Sequence, residues 1–385
     1  MGIPIARIFG IEIRVTYGWV VVLAFVSVIA FGQLTSVDPA LEELVAWGLG
    51  GLVALGFFVS SVSHDLAHAV VARRRGVEVR SIGISFFGGA TPNDPASTNA
   101  RDDAVIAASG PIVSLALGGL LLGLMAAATS AGSGFTLAAG MFATLGFLNL
   151  VLGFVNLIPA YPLDGGRLVR DIAWRWTGSE RTGWRVAAQA GRLTGLVVIG
   201  IGVTYLLGSL NTTGLDATGA MIAITGWFLV LSGNAVRDRV RLDDMIGGHV
   251  VSDAMDADPT TVTPTLTVDT FAAQLLDGET PVYAVPVVEG TEVVGLLGVN
   301  QVRRIRRTEW ANTRVVDVMA RPPKLVFLSP TEPLKQGLER VYKAGLDGLP
   351  VMDDGRMVGI LTKRGVGRFI GEKTLRLKGA TPPVA

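Results

Sequence analysis

Five long stretches of the chain contain no Asp, Glu, Lys or Arg: residues 15–37, 44–63, 104–163, 193–215 and 217–236. A helix needs roughly 20 predominantly apolar residues to cross the hydrocarbon of a bilayer, so four of these predict one span each. The third holds 60 residues and predicts two spans joined at the small, polar segment 129–134. The expected N-terminal fold is therefore a polytopic α-helical membrane domain with six transmembrane helices. No short apolar region near the start ends in a processing site, so a cleaved signal peptide is not expected.

The pattern changes after Arg241. Asp, Glu, Lys and Pro return, and Gly247-Gly248 reads as a linker. The following segment repeats itself. Val251-Ser252-Asp253-Ala254-Met255 matches Val315-Val316-Asp317-Val318-Met319, Val285-Pro286-Val287 matches Leu349-Pro350-Val351, and Gly295-Leu296-Leu297 matches Gly359-Ile360-Leu361. A constant offset of about 64 residues marks an internal duplication. Each copy predicts strands such as 293–299, turns such as Asp353-Asp354-Gly355, and a helical piece such as 333–344. This α/β module resembles a tandem cystathionine-beta-synthase (CBS) pair over about 248–371. The resemblance implies an intramolecular sandwich, a homodimer formed through the pair, and an adenine-nucleotide site. In that family a Thr or Ser followed three residues later by Asp contacts phosphate and ribose. Here the second copy keeps Thr362 but has Gly365 in place of the Asp, and the first has Gly298 and Gln301. The resulting domain expectation is a membrane domain over 1–240, a linker over 241–249, one CBS repeat over 250–310, and the second with a tail over 311–385.

Composition supports this division. Half of the residues are hydrophobic and only 17% are charged, against about 25% in a soluble globular chain. All six lysines lie beyond residue 320, and 49 glycines suit close helix packing in lipid. A net charge of +1, with no basic run longer than Arg73-Arg74-Arg75, excludes a nucleic-acid footprint. The absence of cysteine excludes disulfides, thiolate zinc sites and cysteine catalysis. Arginines orient the spans. Arg7 and Arg14 precede the first, Arg73–Arg75, Arg80 and Arg101 separate the second from the third, Arg167, Arg170, Arg175, Arg181 and Arg185 separate the fourth from the fifth, and Arg237, Arg239 and Arg241 follow the sixth. The opposite loops carry no Lys or Arg. The positive-inside rule then puts both termini and the CBS module in the cytoplasm of a multi-pass cell-membrane protein. Asn211-Thr212-Thr213 fits a glycosylation sequon but stands without any other secretory mark.

Two segments carry candidate chemistry. His64 and His68 lie four apart near the end of the second span, in Ser63-His64-Asp65-Leu66-Ala67-His68. On a helix that spacing stacks both imidazoles on one face, as two ligands of a tetrahedral zinc require. Two satisfied histidines at a polar helix end is the plainer reading. Ionisable groups at membrane depth are costly and usually functional, and three of them occupy five residues here. A catalytic zinc wants a third protein ligand, and the nearby carboxylate is Asp164, in Asn156-Leu157-Ile158-Pro159-Ala160-Tyr161-Pro162-Leu163-Asp164-Gly165-Gly166. Pro159 and Pro162 are expected to break the fourth helix, and the two glycines to let the backbone turn tightly behind the carboxylate. A plain turn capped by Asp is the alternative.

Together the two segments resemble the signature of the site-2 protease family of intramembrane zinc metalloproteases, which pairs H-E-x-x-H with N-x-x-P-x-x-x-x-D-G. Phe86-Phe87-Gly88-Gly89-Ala90 and Ser109-Gly110-Pro111 resemble the family's membrane-associated loop and third-span start. The likeness covers about 1–240, and CBS pairs occur at the C-terminus of prokaryotic members, which implies a prokaryotic source. The resemblance implies that His64, His68 and Asp164 bind one zinc, that Asn156 holds the substrate strand or its developing oxyanion, and that the substrate is a single-pass transmembrane protein cut inside the bilayer. One position departs: Asp65 stands where the family has glutamate. Aspartate keeps the acid–base chemistry but draws the carboxylate back by about 1–1.5 Å, and a misplacement of that order can cost around 10²-fold in rate. Asp65 fits a slow natural variant, a compensated one, or a substitution that traps the enzyme. A CBS-regulated transporter or channel, and a protease-like scaffold that binds without cutting, stand as alternatives.

Overall fold

The computed structural model describes residues 2–84, 99–212, 217–277, 284–323 and 325–377. The stretch 86–90 and the last residue of the 211–213 sequon lie outside the described residues. Two compact units make up the chain, Met1–Val240 and Arg241–Ala385.

The first unit opens with a hairpin, β1 (Ile3–Ile8) and β2 (Ile11–Val15), and β3 (Ser81–Ile84) adds in parallel to β2. Along β2, Ile11 and Ile13 are buried while Glu12 and Arg14 reach outward, so one face of this small sheet packs inward. Ile11 joins Ala69, Ala72 and Ile106, seating the sheet against the histidine-bearing end of the second helix. This sheet has no counterpart among the expected elements. Its strands are only 4–6 residues long, too short for alternation to stand out beside the spans.

Helices α1 (Gly18–Val37), α2 (Glu43–Arg74), α3 (Ala100–Ser130), α4 (Thr136–Asn156), α5 (Asp164–Thr177), α6 (Glu180–Thr212) and α7 (Ala217–Ile246) follow. All except α5 are long and apolar enough to cross a membrane, which gives, among the described residues, the six spans expected. Between 11% and 28% of the most apolar window of each is buried. Val21, Leu120, Leu193 and Ile224 are among the large apolar side chains left outside. A continuous surface of this kind is unstable in water and is what lipid tails cover. Helices α6 and α7 pack glycine on glycine. A Cβ on Gly195 would stand 2.7 Å from the Gly226 carbonyl oxygen, and one on Gly219 2.8 Å from that of Gly202, the close approach that small residues permit in lipid.

Helix α5 differs in kind. Gly165, Gly166, Arg170, Asp171 and Ala173 are buried, whereas Trp176 is exposed. It is an amphipathic helix between two spans. The expectation of a tight turn behind Asp164 is corrected here. Gly165 and Gly166 lie in the first turn of α5, and what they permit is the approach of the preceding loop. A Cβ on Gly166 would stand 2.5 Å from the Tyr161 amide nitrogen.

The second unit repeats one construction. Hairpin β4 (Ala284–Glu289)–β5 (Glu292–Gly298) corresponds to β6 (Gly348–Asp353)–β7 (Arg356–Thr362), with matching registers and matching bulges at Val287/Val288 and Val351/Met352. Helix α8 (Val268–Asp277) precedes the first hairpin, and short helices α9 (Val299–Val302) and α10 (Val315–Val318) follow it. Helix α11 (Leu334–Ala344) precedes the second hairpin and α12 (Lys363–Leu377) follows it. The copies are interlocked: Asp256 bridges Ile360 of the second copy, and Ala320 bridges Leu296 of the first. This explains the shared motifs. A Cβ on Gly295 would collide with Met319, and one on Gly359 would stand 3.0 Å from Met255 Sδ. Each copy's glycine makes room for the other copy's methionine.

Candidate metal centre

His64 and His68 lie on α2, one turn apart, with their rings edge to face and centroids 5.0 Å apart. Both are buried. Helix α3 holds them from behind. His68 Nδ1 lies 2.7 Å from the Ile106 carbonyl oxygen, which also accepts from Ser109 Oγ at 2.7 Å. A carbonyl only accepts, so Nδ1 carries a proton and the neutral imidazole keeps its lone pair at Nε2. His64 Nδ1 meets Ser114 Oγ at 2.8 Å. Gly110 lies between these partners, and a Cβ there would strike His68 Nε2 and stand 2.7 Å from His64 Nε2.

Asp164 begins α5 and reaches the same point. Its Oδ2 lies 3.2 Å from His64 Nε2 and 3.3 Å from His68 Nε2, and the two Nε2 atoms are 3.3 Å apart. The three donors form a nearly equilateral triangle. A tetrahedral zinc with bonds of about 2.0–2.1 Å has edges of about 3.3–3.4 Å. In its neutral form, with the proton on Nδ1, His68 presents its Nε2 lone pair to the Asp164 carboxylate, an arrangement that a cation relieves. The donor set thus fits zinc in residue type and spacing. Among the described residues this is the group of three or more His, Asp or Glu side chains able to hold a metal ion.

Comparison with known proteins supplies the context. Residues 133–198 match Peptidase family M50, and residues 251–307 and 315–372 each match the CBS domain. A Mycobacterium tuberculosis protein named "Putative zinc metalloprotease Rip3" is 32% identical over 375 residues, covering 96% of this chain and 92% of that one. The chain belongs to the site-2 protease family, peptidase family M50. "Zinc metalloprotease MJ0392" of Methanocaldococcus jannaschii is 28% identical over 313 residues, 81% of this chain and 82% of its own. The solved structure of a site-2 protease from the same organism is 22% identical, covering 61% of this chain and 94% of that chain at a TM-score of 0.36. Membership places the chain among zinc metalloproteases with CBS domains rather than among CBS-regulated carriers.

Within this site-2 protease the remaining predicted residues stand as follows. Asp65 follows His64 on α2 and is half-buried. At 100° per residue its side chain leaves the helix about 60° from that of His68. Asn156 is the last residue of α4 and donates to the Leu152 carbonyl at 2.9 Å, which leaves one amide proton for another partner. Thr362, at the end of β7, accepts the Gly365 N–H at 2.9 Å and so caps the start of α12. It lies in the CBS module.

Sequence reasoning missed Ser114 and the Ile106 carbonyl, and it assigned Arg170 to a loop. Arg170 lies on α5 and is 4% exposed, paired with Asp103 and Asp171. Burial pushes the Asp171 carboxyl up to about 6, against the opposing pull of Arg170.

Proposed function

We propose that this chain is an intramembrane zinc endopeptidase that cleaves a transmembrane segment of another membrane protein inside the bilayer. The observation that carries the reading is the triangle of His64 Nε2, His68 Nε2 and Asp164 Oδ2, with sides of 3.2–3.3 Å. In this reading those three atoms would hold one zinc per chain. Zinc held there supplies a Lewis acid and lowers the pKa of water to about 7. Asp65 accepts the water's proton and returns it to the leaving amine. The second amide proton of Asn156 holds the carbonyl of the unwound substrate strand. Ser114 and the Ile106 carbonyl keep each imidazole turned with Nε2 forward.

Arginine distribution supports an orientation with both termini and the CBS module in the cytoplasm, where water reaches the metal from the same side. The CBS pair would hold a homodimer and govern access to the site, and a monomeric full-length chain would remove that part of the reading. Asp65 favours one second reading, a chain that binds substrates and zinc but turns over slowly or not at all.

Full-length protein is expected to hold one zinc, and His68→Ala or Asp164→Ala to lose most of it. A purified chain without zinc, indistinguishable from these variants, would refute the proposal. Cleavage of a reconstituted transmembrane substrate separates the protease from the scaffold.

A further inference from the structure

Helix α3, which backs the two histidines, and α5, which supplies Asp164, are joined by buried charge about two turns from the site. Arg170 follows Asp164 by six residues on α5, and Asp103 precedes Gly110 by seven on α3. The Arg170 guanidinium donates from Nη2 to Asp103 Oδ2 and from Nε to Asp171 Oδ1 at 2.6 Å. Its Cζ also lies 4.6 Å from the centre of the Trp184 ring on α6. Asp103 and Asp171 are each 1% exposed. Arg167 Nη2 stands 3.9 Å from Asp103 Oδ1, so two cations face two anions.

Ionic clusters at this depth are expensive. Desolvation commonly cancels the Coulomb attraction, so a buried ion pair is weak evidence for stability. What such a cluster does well is specify one arrangement, because a guanidinium fork has few orientations that satisfy all its partners. Here the arrangement concerns the site. On α3, Asp103 is one turn from Ile106, whose carbonyl orients His68, and two turns from Gly110, where an added Cβ would collide with both imidazoles. On α5, Arg170 stands two turns from the Asp164 carboxylate. Trp184 also packs against Tyr161 at a centroid distance of 5.9 Å. The segment carrying Asp164 is thus held on one side through Tyr161 and on the other through Arg170.

We propose that Arg170, clamped between Asp103, Asp171 and Trp184, is a positioning residue that fixes the rotation of α5 against α3 and so sets the distance from Asp164 to the two imidazoles. This rests on the zinc reading above. A carboxylate oxygen about 5 Å from the axis of α5 moves about 1.7 Å if that helix turns by 20°. Metal–ligand distances tolerate about 0.2 Å. Loosening the clamp therefore acts on metal affinity before it acts on the fold.

The test is zinc affinity of the full-length chain in detergent, read by competition with a chromophoric chelator, beside the absorption bands of the cobalt-substituted protein. Arg170→Gln and Asp103→Asn are each expected to raise the zinc dissociation constant about 10–100-fold, the range seen when outer partners of metal ligands are removed. Cobalt bands should shift in both. Arg170→Lys keeps the charge but loses the fork, and it should fall between parent and Arg170→Gln. Should a variant fail to fold, Trp184→Leu leaves every charge of the cluster in place while removing the ring face under Arg170, its contact with Tyr161 and its N–H bond to Glu180, and it is expected to weaken zinc several-fold. If the parent binds zinc tightly and every folded variant matches it in affinity and spectrum, differing only in melting temperature, the clamp is structural and the proposal fails. If the parent binds no zinc, the zinc reading fails instead.

Discussion

Gly110→Ala is the smallest change that tests the metal centre. The added methyl would strike His68 Nε2 and stand 2.7 Å from both His64 Nε2 and His68 Cε1. Non-bonded carbon contacts settle at about 3.5–4.0 Å, so a shift on the order of 1 Å is needed. The obstructed atoms are rigid rings, and each is tied at Nδ1, to Ser114 Oγ or to the Ile106 carbonyl. Turning a ring away breaks that bond, while moving α3 back separates it from α2. Overpacking of this kind costs about 1–3 kcal/mol of stability. The effect on metal should be larger, because ligand positions tolerate only about 0.2 Å. Zinc retained after dialysis against chelator is expected to fall at least tenfold in Gly110→Ala. The same helix supplies the control. Nothing lies within 4 Å of a Cβ at Gly119, so Gly119→Ala should leave zinc unchanged and stabilise α3 by up to about 1 kcal/mol. Gly110→Ala protein that is folded and holds zinc as tightly as Gly119→Ala would refute the assignment of this cleft.

Three further outcomes are expected. Asp65→Glu should raise cleavage of a reconstituted transmembrane substrate by tens-fold or more with zinc content unchanged, and equal rates would mean that the site already suits the shorter acid. AMP or ATP added to the full-length chain should give no saturable shift in melting temperature, because the Thr362 hydroxyl caps α12 and Gly365 and Gly298 lack the polar groups for ribose and phosphate; a saturable shift overturns this. Asp171, raised to about 6 from an unfolded value near 3.9, binds more protons in the folded state, so its contribution is present below about pH 4 and lost as pH rises through about 6. The difference in stability between parent and Asp171→Asn should decline across that interval, and a flat difference contradicts the assignment.

Spans and repeats were legible in the sequence because each is a long pattern. The six membrane helices follow from charge-free runs, and the duplicated offset anticipates two hairpins with matching register. The paired histidines and Asp164 were legible as residue types that are costly at membrane depth. Their supports were not. Ser114 bonds to a histidine 50 positions earlier, yet beside it in the sequence it resembles Thr129 and Ser130, whose hydroxyls return to their own helix carbonyls. Asp103 looks like the polar border of a span and is buried inside α3. Arg170 reads as one more orienting charge, because nothing local reveals that α5 turns that face inward.

The interlocked CBS copies have a consequence for biosynthesis. Asp256 and Ile360 are bridged across about a hundred residues, and the first hairpin, although translated early, has its Leu296 edge closed only by Ala320. Contacts so distant in sequence form late, because the intervening chain must first be looped. At 5–20 residues per second, the segment at Asp256 waits on the order of 5–20 s for its partner strand to emerge from the ribosome. All six spans are synthesised before that wait begins, so the membrane domain has time to insert and bring His64, His68 and Asp164 together while the soluble module is still an open chain.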